Sequence, residues 1–210
     1  MAHLPSSTPS RGPTRCRPLH AALTIAALGW ASTSCAADGR VLGFERTRIE
    51  SPFRAYLQVG RNPETDTYGG GVLWDTGWRR DVGAAGAVRV LLDGSVSSWH
   101  SELGPRRDVG SSRVTQLGIT PVLRWHPFSR TAGWFAEAGI GANAIAPLYT
   151  SSERRFSTVF QFGDHVGIGW DSAGRHPLEL SLRYQHVSNG SIKAPNSGAN
   201  FVQLRLAYGF

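Results

Sequence analysis

The end of the chain constrains the fold more than any other stretch. Val202, Leu204, Leu206, Tyr208 and Phe210 share one parity, and Gln203, Arg205, Ala207 and Gly209 share the other. A strand sends successive side chains to opposite faces, so this segment has one apolar face and one small or polar face. The alternation runs to the final residue, an aromatic. An edge strand of a soluble sandwich would leave that face in water. A closed membrane barrel turns it to lipid and points the polar face into the lumen.

The same alternation recurs upstream, separated by turn residues. Ala55, Leu57 and Val59 form one apolar face, and Val72, Trp74, Thr76 and Trp78 another. Val88, Val90 and Leu92 follow, then Leu117, Ile119, Leu123 and Trp125, then Trp134, Ala136, Ala138 and Ile140. Phe160, Phe162, Val166, Ile168 and Trp170 precede Leu178, Leu180, Leu182 and Tyr184. With the last strand this predicts an all-β fold, an eight-stranded antiparallel transmembrane β-barrel over residues 38–210. The terminal Phe, with aromatics on its face, resembles the assembly signal of outer-membrane barrels. A barrel of this size is filled by side chains, so no channel is expected. Arg89, Asp93, Arg124, Glu137, His165, Glu179, Arg183 and Arg205 fall on lumen parity and are expected to pair there, because buried charges need partners. Asp164 breaks the pattern, sharing the parity of Phe162 and Val166, and is expected at an interface or a bulge. Connections near 61–67, 97–112, 144–157 and 189–199 are expected outside the cell. Those near 79–86, 126–133 and 171–177 are expected as periplasmic turns.

Residues 1–37 are of a different kind. Arg11, Arg15 and Arg17 precede a short apolar run from Leu19 to Ala31, and Ser32-Thr33-Ser34-Cys35-Ala36-Ala37 are all small. That sequence of regions predicts a secretory signal peptide. Both cysteines, Cys16 and Cys35, fall within it, leaving the exported domain without a disulfide or a thiol nucleophile. The net charge is +7, but Lys193 is the sole lysine and no block of like charge forms a nucleic-acid arm. With 7 Trp and 18% charged residues the chain is too aromatic and too weakly charged for disorder, and no run reaches the roughly 20 apolar residues of a spanning helix.

One constellation carries chemistry. His186 and Ser188 are two apart, so they share a face, the one carrying Leu178 to Tyr184. Asn200 has the outward parity of Val202 to Phe210, and its strand is the hairpin neighbour. A base, a hydroxyl and an amide therefore converge on the lipid side, as nucleophilic catalysis requires. On spacing alone, the simpler account is favoured: polar residues at an aqueous strand end.

The longer string from His186-Val187-Ser188-Asn189-Gly190 through Ala194-Pro195-Asn196 to Asn200 resembles the C-terminal motif of the PagL lipid A 3-O-deacylase family. That resemblance covers about the last 30 residues closely, and the leader and barrel plan more generally. It implies Ser188 as nucleophile, His186 as general base and Asn189 as an oxyanion donor. It also implies lipid A, within lipopolysaccharide, as substrate and the outer membrane as location, with the site toward the outer leaflet. The family's third member is an acid; the aligned residue here is Asn200, and no Asp or Glu occurs from Leu180 to Phe210. An Asn can orient a His through a neutral hydrogen bond, as in Cys-His-Asn sites. The alternatives are a non-catalytic small barrel that stabilises the envelope or binds a surface, and an outer-membrane phospholipase or acyltransferase. Neither cofactor nor metal nor nucleic acid is implied, and the sequence does not separate a monomer from a homodimer.

Overall fold

The computed structural model describes residues 41–101, 112–127 and 132–210. The signal peptide expected at 1–37, with both cysteines, lies outside the described residues. So do residues 102–111 of the connection expected near 97–112 and residues 128–131 of that expected near 126–133.

Nine strands run in chain order: β1 (Glu45–Arg46), β2 (Phe53–Asn62), β3 (Thr65–Asp81), β4 (Ala87–Ser101), β5 (Arg113–His126), β6 (Gly133–Ala146), β7 (Phe160–Asp171), β8 (Leu178–Ser188) and β9 (Ala199–Gly209). β2 to β9 each pair antiparallel with their chain neighbours, and β2 pairs with β9, closing an eight-stranded barrel. The two-residue β1 adds only a short ladder to the end of β3. This is the expected fold, and the alternation explains it. Leu178, Leu180, Leu182 and Tyr184 are exposed while Glu179, Ser181 and Arg183 are buried, and β9 repeats the pattern. Phe53, Trp74, Trp125, Trp134, Trp170, Tyr208 and Phe210 are exposed around the rim where the chain ends, forming an aromatic girdle.

One boundary differs from the expectation. The loop expected at 61–67 is only the Pro63-Glu64 turn, because β2 and β3 keep pairing up to Asn62↔Thr65. The apolar alternation stops at the lipid boundary, but the hydrogen-bonded ladder does not. β3 also carries a bulge between Asp75 and Arg79, where Gly77 has a φ of 79° and the register slips against β4 from Asp75↔Leu91 to Arg79↔Arg89; the slip is of two residues, so Val72, Trp74, Thr76 and Trp78 keep the common parity expected of them.

The lumen is filled in rows. Five arginines (Arg54, Arg89, Arg124, Arg183 and Arg205) are buried with five carboxylates (Asp75, Asp93, Glu137, Asp171 and Glu179). Arg124 bridges Glu137 at 2.7 Å and Glu179 at 2.6 Å; Arg183 and Arg205 reach Asp93 at 3.0 and 2.7 Å; Arg89 pairs with Asp75. The balance of charge is what makes such a core tolerable. All eight expected lumen residues are there, His165 included. Toward the other rim the polar rows give way to an apolar plug of Trp99, Val114, Ile145, Tyr149, Phe156, Val187, Ala199 and Phe201.

Candidate active site

The plug supports the candidate site from behind. Val187 points inward and is fully buried, and this locks its neighbours His186 and Ser188 on the outer face of β8, both half-buried. His186 lies directly opposite Asn200 across the β8–β9 ladder. Their side chains meet: His186 Nδ1 is 2.5 Å from Asn200 Oδ1. An amide oxygen only accepts, so Nδ1 carries the hydrogen. Nε2 is then left with its lone pair, the form a general base needs. The structure thus brings His186, Ser188 and Asn200 to one patch of the lipid-facing surface.

The connection from Asn189 to Gly198 roofs this patch. Gly190 and Ser191 adopt φ of 62° and 65°, turning the chain sharply after Ser188. Gly198, at φ 60°, passes so close to His186 that a Cβ there would stand 2.9 Å from the ring's Cε1. Only glycine fits both the left-handed backbone and the approach to the imidazole.

Asn189 is buried beneath the roof. Its Nδ2 donates to Ser157 Oγ at 3.1 Å and to the Lys193 carbonyl at 2.7 Å, and its backbone N–H donates to Asn196 Oδ1 at 3.0 Å. Every donor of Asn189 therefore ties the loop together, and none stands free toward Ser188. Sequence reasoning missed Asn196, whose oxygen receives the Asn189 N–H, and it missed the brace from a second loop. Residues 147–159 lie against the roof: Phe156 bridges to Asn196, Ser157 donates to the Lys193 carbonyl, and Arg154 Nη1 donates to the Gly198 carbonyl at 2.9 Å. Arg154 is itself held by Glu64 at 3.3 Å, and the Ser151 hydroxyl donates to the same carboxylate. Burial alone would raise the Glu64 carboxyl, but the Ser151 hydroxyl, the Glu153 N–H and the Arg154 charge outweigh it and hold the group below the usual range. Nothing in the spacing of these residues signals that they meet; the loop had to be seen folded.

Residues 66–209 match the model of the family described as lipid A 3-O-deacylase (PagL). The lipid A deacylase PagL of Bordetella bronchiseptica is 33% identical over 155 residues, spanning 74% of this chain and 77% of that protein. The fold matches the crystal structure of the outer membrane enzyme PagL with a TM-score of 0.64 at 23% identity, over 73% of this chain and 97% of the other. On the family match and the Bordetella relative together, the chain belongs to the PagL family of lipid A 3-O-deacylases.

Proposed function

We propose that the protein is an outer-membrane serine esterase that removes the 3-O-linked acyl chain of lipid A, exported by the leader at residues 1–37. The observation that carries this reading is the outward row of Ser188, His186 and Asn200 with His186 Nδ1 held by Asn200. Ser188 Oγ attacks the acyl carbonyl while its proton passes to His186 Nε2. The tetrahedral intermediate collapses, the proton goes to the departing 3-hydroxyl oxygen, and the acyl chain remains on Ser188. Water, deprotonated by the same nitrogen, then releases the fatty acid. Asn189 reaches the oxyanion by exchanging its Lys193 contact for the substrate oxygen, so binding and a shift of the roof go together.

The connections support an outward orientation of the site. The rim that carries it bears the long segments 147–159 and 189–198, whereas the opposite rim has the short turns 82–86 and 172–177. Outer-membrane barrels keep long loops outside and short turns in the periplasm, which favours a site at the outer leaflet, where lipid A resides.

Mass spectrometry of lipid A from cells making the protein tests the reading. Wild type should lose one 3-linked acyl group, whereas Ser188→Ala and His186→Ala should leave lipid A intact while the barrels still insert. Wild-type protein that inserts yet releases fatty acid from neither lipid A nor any other ester lipid would overturn it. Release from phospholipid alone would move the substrate and keep the chemistry.

A further inference from the structure

The rim opposite the candidate active site holds a cleft of about 290 Å³ with a strongly basic lining. Residues 47–51 form one wall. They are pinned along the end of β3: the Thr47 N–H donates to the Gly77 carbonyl at 2.8 Å, and the Asp75 N–H donates to the Pro52 carbonyl at 2.7 Å. The bulge of β3 admits this wall, since a Cβ at Gly77, whose φ is 79°, would strike the Thr47 carbonyl oxygen. The β7–β8 turn forms the other wall, through residues 172–175 and Pro177. Arg54, Asp75 and Arg89, buried side chains of the lumen, also line the cleft.

The hydrogen bonds show which of these groups are engaged. Asp75 Oδ1 accepts from the Gly77 N–H at 3.0 Å, and Oδ2 accepts from Arg89 Nη2. Arg54 donates to Glu179 at 3.1 Å and to Asp171 at 3.5 Å. Arg89 differs. Its side chain is only 10% exposed, yet the contact with Asp75 is its one hydrogen bond among the described residues, and a guanidinium has five N–H donors. Buried donors without an acceptor are costly, so this side chain calls for an acceptor in the cleft it lines. At the mouth, Arg48 and Arg175 are exposed, with no hydrogen bond or ion pair among the described residues. Glu50 is the one lining carboxylate besides Asp75 among those residues. Three guanidiniums from three separate segments therefore border one cavity with donors uncommitted.

We propose that this cleft binds a phosphate group, presented by the headgroup of an anionic phospholipid or by free phosphate. Phosphate oxygens are arranged as a tetrahedron, so guanidiniums arriving from several sides can each donate to different oxygens through charge-assisted bonds. Trp78 lines the same cleft, and the aromatic girdle on this rim marks the level of lipid headgroups. The cleft shares no residue with the row of Ser188, His186 and Asn200, so the proposal stands apart from the deacylase reading.

The test has two arms on the purified barrel. In phosphatidylcholine vesicles, the urea midpoint of unfolding is compared with and without added phosphatidylglycerol. In detergent micelles, phosphorus NMR line broadening reads the affinity for inorganic phosphate, with chloride holding the ionic strength constant. A ligand bound to the folded barrel alone should raise the midpoint. The double variant Arg48→Gln with Arg175→Gln removes two exposed charges and should weaken binding by about three- to tenfold. Arg89→Lys keeps a cation beside Asp75 but gives up the fork, and should weaken binding by about tenfold. Arg80→Gln, on the same rim but outside the lining, should change nothing. Heat-modifiable gel mobility checks that each variant is folded, and the double variant tests the cleft even where Arg89→Lys fails to fold. An effect of phosphatidylglycerol alone, removed by the arginine variants, assigns the headgroup. An effect of inorganic phosphate alone, removed by the same variants, assigns a soluble ligand. Phosphate acting no better than chloride with no effect of phosphatidylglycerol, or an effect that survives in the double variant, would overturn the proposal.

Discussion

Arg124→Met probes the filled lumen most sharply. The Arg124 guanidinium is fully buried and makes four hydrogen bonds: Nε and Nη2 donate to Glu137 at 3.0 and 2.7 Å, and Nη1 and Nη2 donate to Glu179 at 2.6 and 2.8 Å. It also lies 3.8 Å from the centroid of the Phe135 ring. At about 1.5–3 kcal/mol per charge-assisted bond, simple addition gives about 6–12 kcal/mol. That sum is too large, because neither carboxylate is abandoned. Glu137 keeps Arg183 at 2.5 Å, and Glu179 keeps Arg54 at 3.1 Å. What remains is one surplus buried negative charge, for which the loss should be about 3–5 kcal/mol. The double variant Arg124→Met with Glu179→Gln removes that surplus and should recover about 2 kcal/mol. Urea unfolding in lipid vesicles, followed by tryptophan emission and by the gel mobility of the folded barrel, measures both. A loss below about 1 kcal/mol, or a double variant no more stable than the single one, would refute the argument that charge balance holds this core.

Three further substitutions separate barrel from site. Leu182→Arg places a charge on the lipid face of β8 and should lower stability in vesicles by about 2–4 kcal/mol, whereas Leu182→Ala should cost far less. Gly198→Ala adds a Cβ 2.9 Å from His186 at a positive φ, so deacylation should fall by about 100-fold or more while the barrel's unfolding midpoint stays near wild type. Arg154→Ala cuts the tie from Glu64 to the Gly198 carbonyl and should lower kcat severalfold and speed proteolysis of the roof. Since the Glu64 carboxyl is held low, its contribution to that tie is full above the ordinary glutamate range and is lost as pH falls through the lowered value; proteolysis of wild type across acidic pH should show the roof loosening there.

The parts legible from the sequence were those that depend on one strand at a time. Parity places Arg183 inside and Leu182 outside without knowledge of any neighbour, so the barrel, its lumen set and the outward facing of His186 and Ser188 could be read directly. What depends on two strands could not. Arg54, Asp75 and Asp171 complete the lumen network, yet nothing in their own segments marks them as partners of Arg89 or Glu179. The Gly69-Gly70-Gly71 run erased the alternation over the first half of β3, because glycine has no side chain to carry a period. The family resemblance pointed to Asn189 as an oxyanion donor, but only the folded loop shows its donors engaged with Ser157, Lys193 and Asn196. Asp164 is the clearest case. Its parity marked it as misplaced, and only the register shows that it stands opposite His186.

Filling the lumen favours a site on the outside. Among the described residues, ten buried charged side chains and an apolar plug occupy the interior, so in the proposed reading a substrate approaches laterally, from the membrane, onto the outer face of β8 and β9. On that face a catalytic group must come from the outward parity of a strand, and neighbouring strands contribute side chains only in register. His186 and Asn200 satisfy this geometry from two facing strands, and Ser188 follows two residues along β8. In an antiparallel sheet a residue makes a hydrogen-bonded pair with one flank and a closer, non-hydrogen-bonded pair with the other, so the two neighbours of a central histidine are not interchangeable. The neighbour that meets the His186 ring is Asn200, 2.5 Å away, and an amide oxygen there fixes the tautomer that leaves Nε2 free.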